Sequence, residues 1–114
     1  NFGQSEFINS THRANEYLVS SNPLVGSFDL DKLKFPLTIR SYKKGDKFQP
    51  LGMSGKKLIS DLLIDEKVPI AQKKKQAVVV AGDDIIWLVG RRIDDRYKIT
   101  TLTKEILELR LESD

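Results

Sequence analysis

Apolar residues change their spacing several times along this chain, and each change marks a different kind of element. Residues 34–42 alternate Phe35, Leu37 and Ile39 with Lys34, Thr38 and Arg40, the period of a half-buried strand with Pro36 near its edge. From Lys56 the spacing becomes helical. Leu58, Ile59, Leu62 and Leu63 share a face, Ser54 is placed to cap it, and the pattern stops before Pro69, which predicts a helix of about three turns. Pro69 then opens a shorter second helix through Gln76, and AVVVAGDDIIWLVG predicts a hairpin around Gly82-Asp83-Asp84. Leu107, Leu109 and Leu111 alternate with Glu108, Arg110 and Glu112. Residues 104–112 would also suit a helix, and a strand is the preferred assignment. Residues 7–12, 16–20 and 97–101 are strand-like, and 28–33 suggests a helical turn capped by Asp29 or Asp31. Residues 43–55 hold three glycines and Pro50, too many breakers for a regular element, and predict a long shaped loop. The expected fold is α+β, with several short, mainly antiparallel strands around two central helices.

A length of 114 residues suits one domain over 1–114, and a chain of this size buries roughly two-thirds of its unfolded surface. There is no cysteine, hence neither a disulfide framework nor a thiolate metal site, which agrees with a reducing, cytoplasmic location. No apolar run approaches the roughly 20 residues of a membrane span, and no signal-peptide pattern opens the chain. The first residue is Asn1 and not Met, so a longer parent is expected.

Charge changes this picture. Residues 40–98 gather fourteen Lys and Arg against eight Asp and Glu, while the remainder holds five basic and eight acidic side chains. A net balance of +3 thus conceals a strongly basic segment, which points to a polyanion such as RNA or DNA. Basic residues adjoin glycines in Lys43-Lys44-Gly45, Gly55-Lys56-Lys57 and Gly90-Arg91-Arg92, where backbone amides and cations can approach a phosphate together. Lys56 and Lys57 at a helix start oppose the helix dipole unless a phosphate offsets them, or unless they simply face solvent. Lys73, Lys74 and Lys75 fall at a helix C-terminus, where cations are favourable anyway. Arg40 closes a strand, placed for either a phosphate or Asp46. Arg91, Arg92, Arg96 and Lys98 flank Asp94 and Asp95 and suggest solvated ion pairs, with Asp94 able to orient an arginine. The expected phosphate contacts are Arg40, Lys43, Lys44, Lys47, Lys56 and Lys57, with Lys73, Lys75, Arg91 and Arg92 as further candidates. Gly45, Asp46, Pro50, Gly52 and Gly55 are expected to shape the loop.

Catalytic chemistry is thinly represented. His12 is the single histidine, no nucleophile elbow or phosphate-binding Gly-Lys-Ser/Thr loop occurs, and Asp61, Asp65 and Glu66 suggest surface pairs with Lys57 and Lys67 more than a Mg²⁺ site. No catalytic or metal site is assigned. Trp87 lies in a very apolar strand and is expected in the core.

The string RSYKKGDKFQPLGMSGKKLISDLLIDEKVP, followed by AVVVAGDDIIWLVGRRIDDRYKIT, resembles the C-terminal domain of bacterial tRNA(Ile)-lysidine synthetase. The resemblance covers 40–101 and rests on Gly45-Asp46, Phe48, Pro50, Gly52, Gly55, Lys57, Asp65, Lys67, Pro69, Trp87, Gly90 and Asp94. The family usually has arginines after Pro69, where this chain has QKKKQ; lysine keeps the charge without the planar fork. The resemblance implies a parent enzyme that uses ATP, with Mg, to attach lysine to the wobble cytidine of an isoleucine tRNA with a CAU anticodon. The family's ATP motif, Ser-Gly-Gly-x-Asp-Ser, is absent, so this chain is expected to be non-catalytic, to use no cofactor itself, and to contact the acceptor-stem region of the tRNA. A fold similar to a module of the phenylalanyl-tRNA synthetase β subunit is also implied. The alternative is a docking module that joins the parent's catalytic domain or forms a homodimer, with Leu107, Leu109 and Leu111 supplying a strand edge.

Overall fold

The computed structural model describes residues 5–113. Strand β9 (Glu105–Ser113) is the spine of a three-stranded antiparallel sheet, with β1 (Ser5–Arg13) on one side and β2 (Val25–Asp29) on the other. A second antiparallel sheet runs in the order β3 (Leu37–Ser41), β6 (Ala77–Ala81), β7 (Asp84–Leu88) and β8 (Arg92–Ile93). Between β3 and β6 the chain forms a small ribbon of β4 (Lys47–Phe48) and β5 (Lys57–Leu58), then helices α1 (Ile59–Asp65) and α2 (Ile70–Lys73).

The four-stranded sheet is buried on both faces, which explains why β6 and β7 read as continuous apolar runs. Val79, Ala81, Ile86 and Trp87 pack with Phe28, Leu107 and Leu109 of the three-stranded sheet, while Val78, Ile85 and Leu88 pack against Phe48 and the Ile59, Leu62, Leu63 face of α1. A bulge opposite Val79 and Val80 lets consecutive residues Ile86 and Trp87 enter the same core. The Trp87 ring meets Phe7 and Phe28 edge-on, each at a centroid distance of 6.2 Å.

Helix α1 ends in a Schellman motif: the Val68 N–H donates to the Leu63 carbonyl and the Lys67 N–H to that of Ile64. Lys67 therefore adopts a φ of 55°, a conformation that costs a residue with a Cβ about 1–2 kcal/mol. Lys67→Gly relieves that strain while adding about 0.5–1 kcal/mol of unfolded-state entropy. A small rise in Tm is expected in a thermal melt, and a fall would contradict the assignment.

Several boundaries differ from the sequence-based expectation. Helix α1 begins at Ile59 rather than Lys56, its N-cap is Leu58 without a side-chain cap, and it has seven residues. The reason is that Lys57 and Leu58 pair with Phe48 and Lys47; Lys57 thus belongs to a ribbon, Lys56 lies just before it, and the dipole argument for a phosphate at these two lysines lapses. Ser54 caps nothing. The second helix is likewise short, ending at Lys73. Residues 16–20 and 97–101 are not strands; 3₁₀ turns occupy Ala14–Glu16 and Asp95–Tyr97. Strand β2 covers 25–29, where the sequence predicted no element before the turn expected from 28, because Gly26 and Ser27 interrupt the apolar pattern; a Cβ on Gly26 would come within 2.9 Å of the Phe28 ring. The 3₁₀ turn at Leu30–Lys32 does follow, with the Asp29 side chain accepting from the Asp31 N–H. Strand β9 is paired on both sides, so Leu107 and Leu109 are core residues and supply no free edge.

Candidate nucleic-acid interface

The 43–55 loop is held at both ends by buried or half-buried carboxylates. At its start, Asp46 accepts the Lys43 N–H at 2.7 Å and both arms of the Arg40 guanidinium at 2.8 and 3.1 Å. Gly45, at a φ of 93°, gives the turn between them a conformation that disfavours a Cβ. At the far end, Asp94 is completely buried. Its two oxygens accept from the Gln49 N–H at 2.9 Å, the Arg96 N–H at 2.8 Å, and the Arg96 Nε and Nη2 at 3.0 and 2.9 Å. Asp95 accepts the Gly52 N–H at 3.0 Å, where Gly52 has a φ of 86°, and pairs with Lys98. Pro50 is buried and bridges to Asp94, and the Leu51 N–H donates to Ile93. Gly55 has neither a positive φ nor a close neighbour, so its geometry makes no demand for glycine.

Strand pairing brings distant basic residues together. The Tyr42 N–H donates to the Gln76 carbonyl at 3.0 Å, extending the β3–β6 ladder. This sets the backbone of the Lys43-Lys44 turn next to the segment that carries Lys73, Lys74 and Lys75 into Gln76. None of these five lysines forms an ion pair among the described residues, and all but the half-buried Lys73 are exposed. The neighbouring acid, Asp46, is already satisfied by Arg40. Gln76 itself is buried; its Nε2 donates to the Ala77 and Val89 carbonyls, and its Oε1 accepts from Arg91 Nε at 2.9 Å. One residue thus ties the lysine cluster to Arg91.

The other expected contacts separate into two groups. Lys47 and Lys56 are exposed, and Lys56 lies close enough to Asp84 to help lower its pKa. Arg40 is committed to Asp46, Lys57 to Asp65, and Arg91 and Arg92 share Glu66 at 3.6 and 3.1 Å. In the Asp94–Arg96 pair a fully buried carboxylate orients a half-exposed guanidinium, the alternative that the sequence left open beside solvated ion pairs. His12 faces Ser10 at 2.8 Å and lies at the ring of Tyr17. No group of His, Cys, Asp or Glu among the described residues is arranged to hold a metal ion, and no helix among them is long and apolar enough to cross a membrane.

These networks set a pH dependence. Burial pushes the Asp46 pKa up, but the Arg40 hydrogen bond, the Lys43 amide and both cations outweigh it, so the net direction is down. Asp84 is lowered chiefly by its hydrogen bond from Tyr97, and Asp95 by the Gly52 amide. Depressed carboxylates stabilise the fold above the ordinary value of about 3.9 and lose that contribution as pH falls through their folded values. Tyr97 has the opposite sign: burial, then the Asp84 bond, push it up to about 12 from 10.0. Its stabilisation is complete below pH 10.0 and disappears as pH rises to about 12. Burial raises Tyr17 as well, so denaturant midpoints should fall at both extremes, and Tyr97→Phe should reduce the alkaline decline while leaving the part due to Tyr17. An unchanged alkaline decline in that variant would contradict the assignment.

The family model described as "TilS substrate C-terminal domain" matches residues 37–111. The chain belongs to the TilS substrate C-terminal domain family. A tRNA(Ile)-lysidine synthase of Parabacteroides distasonis is 40% identical over 92 residues, covering 81% of this chain and 21% of the relative. One from Bacteroides thetaiotaomicron is 46% identical over 80 residues, 70% of this chain and 19% of the relative. The chain thus spans about a fifth of the length of these curated relatives. A crystal structure of a TILS C-terminal domain superposes with a TM-score of 0.79 at 17% identity, covering 96% of this chain and 85% of that one. An N-terminal fragment of the phenylalanyl-tRNA synthetase β subunit from Pyrococcus horikoshii reaches 0.64 at 22% identity, over 76% of this chain and 27% of that one. Both show the α+β fold expected from the sequence.

The TilS substrate C-terminal domain match includes the whole 43–55 loop, the lysine segment and the Asp94 network. Sequence reasoning missed one residue that organises this region, Gln76, and half of another. Asp94 does orient an arginine, as its sequence allows, but nothing local reveals that its carboxylate is buried. Gln76 stands between a lysine run and an apolar strand, and its hydrogen bonds all depend on β6–β7 pairing.

Proposed function

We propose that this chain is the tRNA-recognition part of a tRNA(Ile)-lysidine synthase and that it binds the acceptor-stem region through its basic surface. The parent would use ATP, with Mg, in a separate catalytic domain to attach lysine to the wobble cytidine of isoleucine tRNA with a CAU anticodon, in the cytoplasm. The observation that carries the proposal is the cluster of Lys43, Lys44, Lys73, Lys74 and Lys75, which strand pairing assembles without acidic partners on a member of this family. Exposed lysines on a rigid support suit phosphates, whose spacing on an A-form helix identifies shape and not sequence. Lys47 and Lys56 extend the charge along the β4–β5 ribbon.

The test is binding of this chain to three RNAs across a salt series: isoleucine tRNA with a CAU anticodon, an acceptor-stem minihelix cut from it, and elongator methionine tRNA. Comparable, steeply salt-dependent affinities for the first two are expected. Absence of binding to the minihelix, with retained binding to the whole tRNA, would remove the acceptor stem as the target. A docking role receives support from the exposed side chains of Leu18 and Val19, which are 91% and 70% accessible. Docking on the parent's catalytic domain or on a second copy should survive competition by bulk nucleic acid, which RNA binding should not.

A further inference from the structure

A cleft of about 600 Å³ opens between residues 20–25 and the turn that carries Gly90, Arg91 and Arg92, and is joined to the lysine segment through the Arg91–Gln76 hydrogen bond. Its lining includes Asn22, Val25, Leu51, Glu66, Arg91 and Arg92. A second hollow of about 300 Å³ shares Val25 and Leu51 and continues toward Lys98, so the two form one groove. Apolar area and charge lie side by side in it. Leu51 is 45% exposed although its backbone is pinned to Ile93, which leaves a rigid apolar surface facing the cleft.

Arg91 is the informative residue. Buried Gln76, itself anchored to two backbone carbonyls, holds the Arg91 Nε and so fixes the guanidinium plane. The other four of its five donors make no hydrogen bond among the described residues, since the Glu66 carboxylate stands 3.6 Å from Nη1. That carboxylate is instead engaged by Arg92 at 3.1 Å. The cleft consequently has two cations against one carboxylate and a preoriented, half-buried fork with unused donors. A fork of this kind matches two oxygens of a phosphate.

We propose that this groove receives the unpaired 3′ strand beyond the last base pair of an RNA stem, with a phosphate on Arg91 and a base or ribose against Leu51 and Val25. The proposal rests on duplex binding by the neighbouring lysine cluster. A base within a stacked helix cannot enter a cleft, whereas a single strand can splay its bases out. The volume falls within the range usual for small-ligand sites. Glu66 competes with the phosphate for both arginines, so its removal should strengthen binding of the strand.

The experiment compares a blunt RNA hairpin with the same hairpin carrying a four-nucleotide 3′ extension and reads the ratio of the two Kd values for each protein. The extension should improve affinity roughly tenfold, the yield of one charge-assisted hydrogen bond. Glu66→Gln should raise the ratio, and Arg91→Ala should bring it close to one. A ratio of one for the unaltered chain, or a ratio that neither substitution changes, would overturn the proposal. If neither hairpin binds, the duplex-binding proposal fails and the single-strand proposal falls with it. If the blunt hairpin alone suffices for full affinity, only the single-strand proposal fails. Because each ratio is internal to one protein, a partly unfolded variant lowers both affinities without imitating either result.

Discussion

Asp94→Ala is expected to destabilise the chain by a few kcal/mol, about 1–3 kcal/mol for each backbone donor left without its acceptor, while the half-exposed Arg96 guanidinium keeps access to water. The substitution removes the acceptor for four donors at once, namely the Gln49 and Arg96 amides and two guanidinium nitrogens. It leaves a guanidinium with Asp84 at 3.5 Å as its remaining partner. Since single domains have only about 5–15 kcal/mol of stability, much of the margin would be lost. Asp94→Asn should be nearly as harmful, because its amide NH₂ would face donors in place of one oxygen. Asp95→Asn is the control. That carboxylate is partly exposed, and its loss should cost far less. Urea titrations of the three variants would show the order; a loss at Asp94 no larger than at Asp95 would contradict the network described.

The second large effect concerns binding. Changing Lys43, Lys44, Lys73, Lys74 and Lys75 together to glutamine should weaken affinity for the acceptor-stem minihelix by about 100- to 1000-fold near 0.1 M salt, if two or three of them contact phosphates at once. The slope of log K against log salt should become shallower by about 2–3 for the same reason. Four of the five side chains are exposed, so the circular dichroism spectrum should not change. Equal affinity in a folded variant would show that the phosphates lie elsewhere, with Lys47 and Lys56 the next residues to change.

The elements that were legible in the sequence are those whose apolar period reflects burial directly. The β6–β7 runs, the alternation of β9 and the stripe of Ile59, Leu62 and Leu63 each specify a face, and the structure uses each of them. Boundaries failed where a longer-range contact took residues from a local pattern. Lys57 and Leu58 fit the first turn of a helix, yet pairing with Phe48 and Lys47 claims them for a ribbon. Strand β2 was invisible because close packing on Phe28 and Trp87 requires glycine at position 26, which reads locally as a breaker. The site was legible as charge but not as arrangement. Fourteen basic residues in one segment indicate a polyanion. Which of them remain free depends on Asp46, Asp65 and Glu66 meeting Arg40, Lys57, Arg91 and Arg92 across the fold. The lysine run at 73–75, which helix-dipole reasoning discounts, becomes part of the main cluster only through the Tyr42–Gln76 hydrogen bond.

Hydroxyl-radical footprinting of isoleucine tRNA with this chain bound tests the central claim most directly, because it reports every backbone sugar without presupposing a fragment. Protection confined to the acceptor arm, lost on raising the salt, is the predicted result. Protection centred on the anticodon arm, or none at a concentration where binding is saturated, would contradict it.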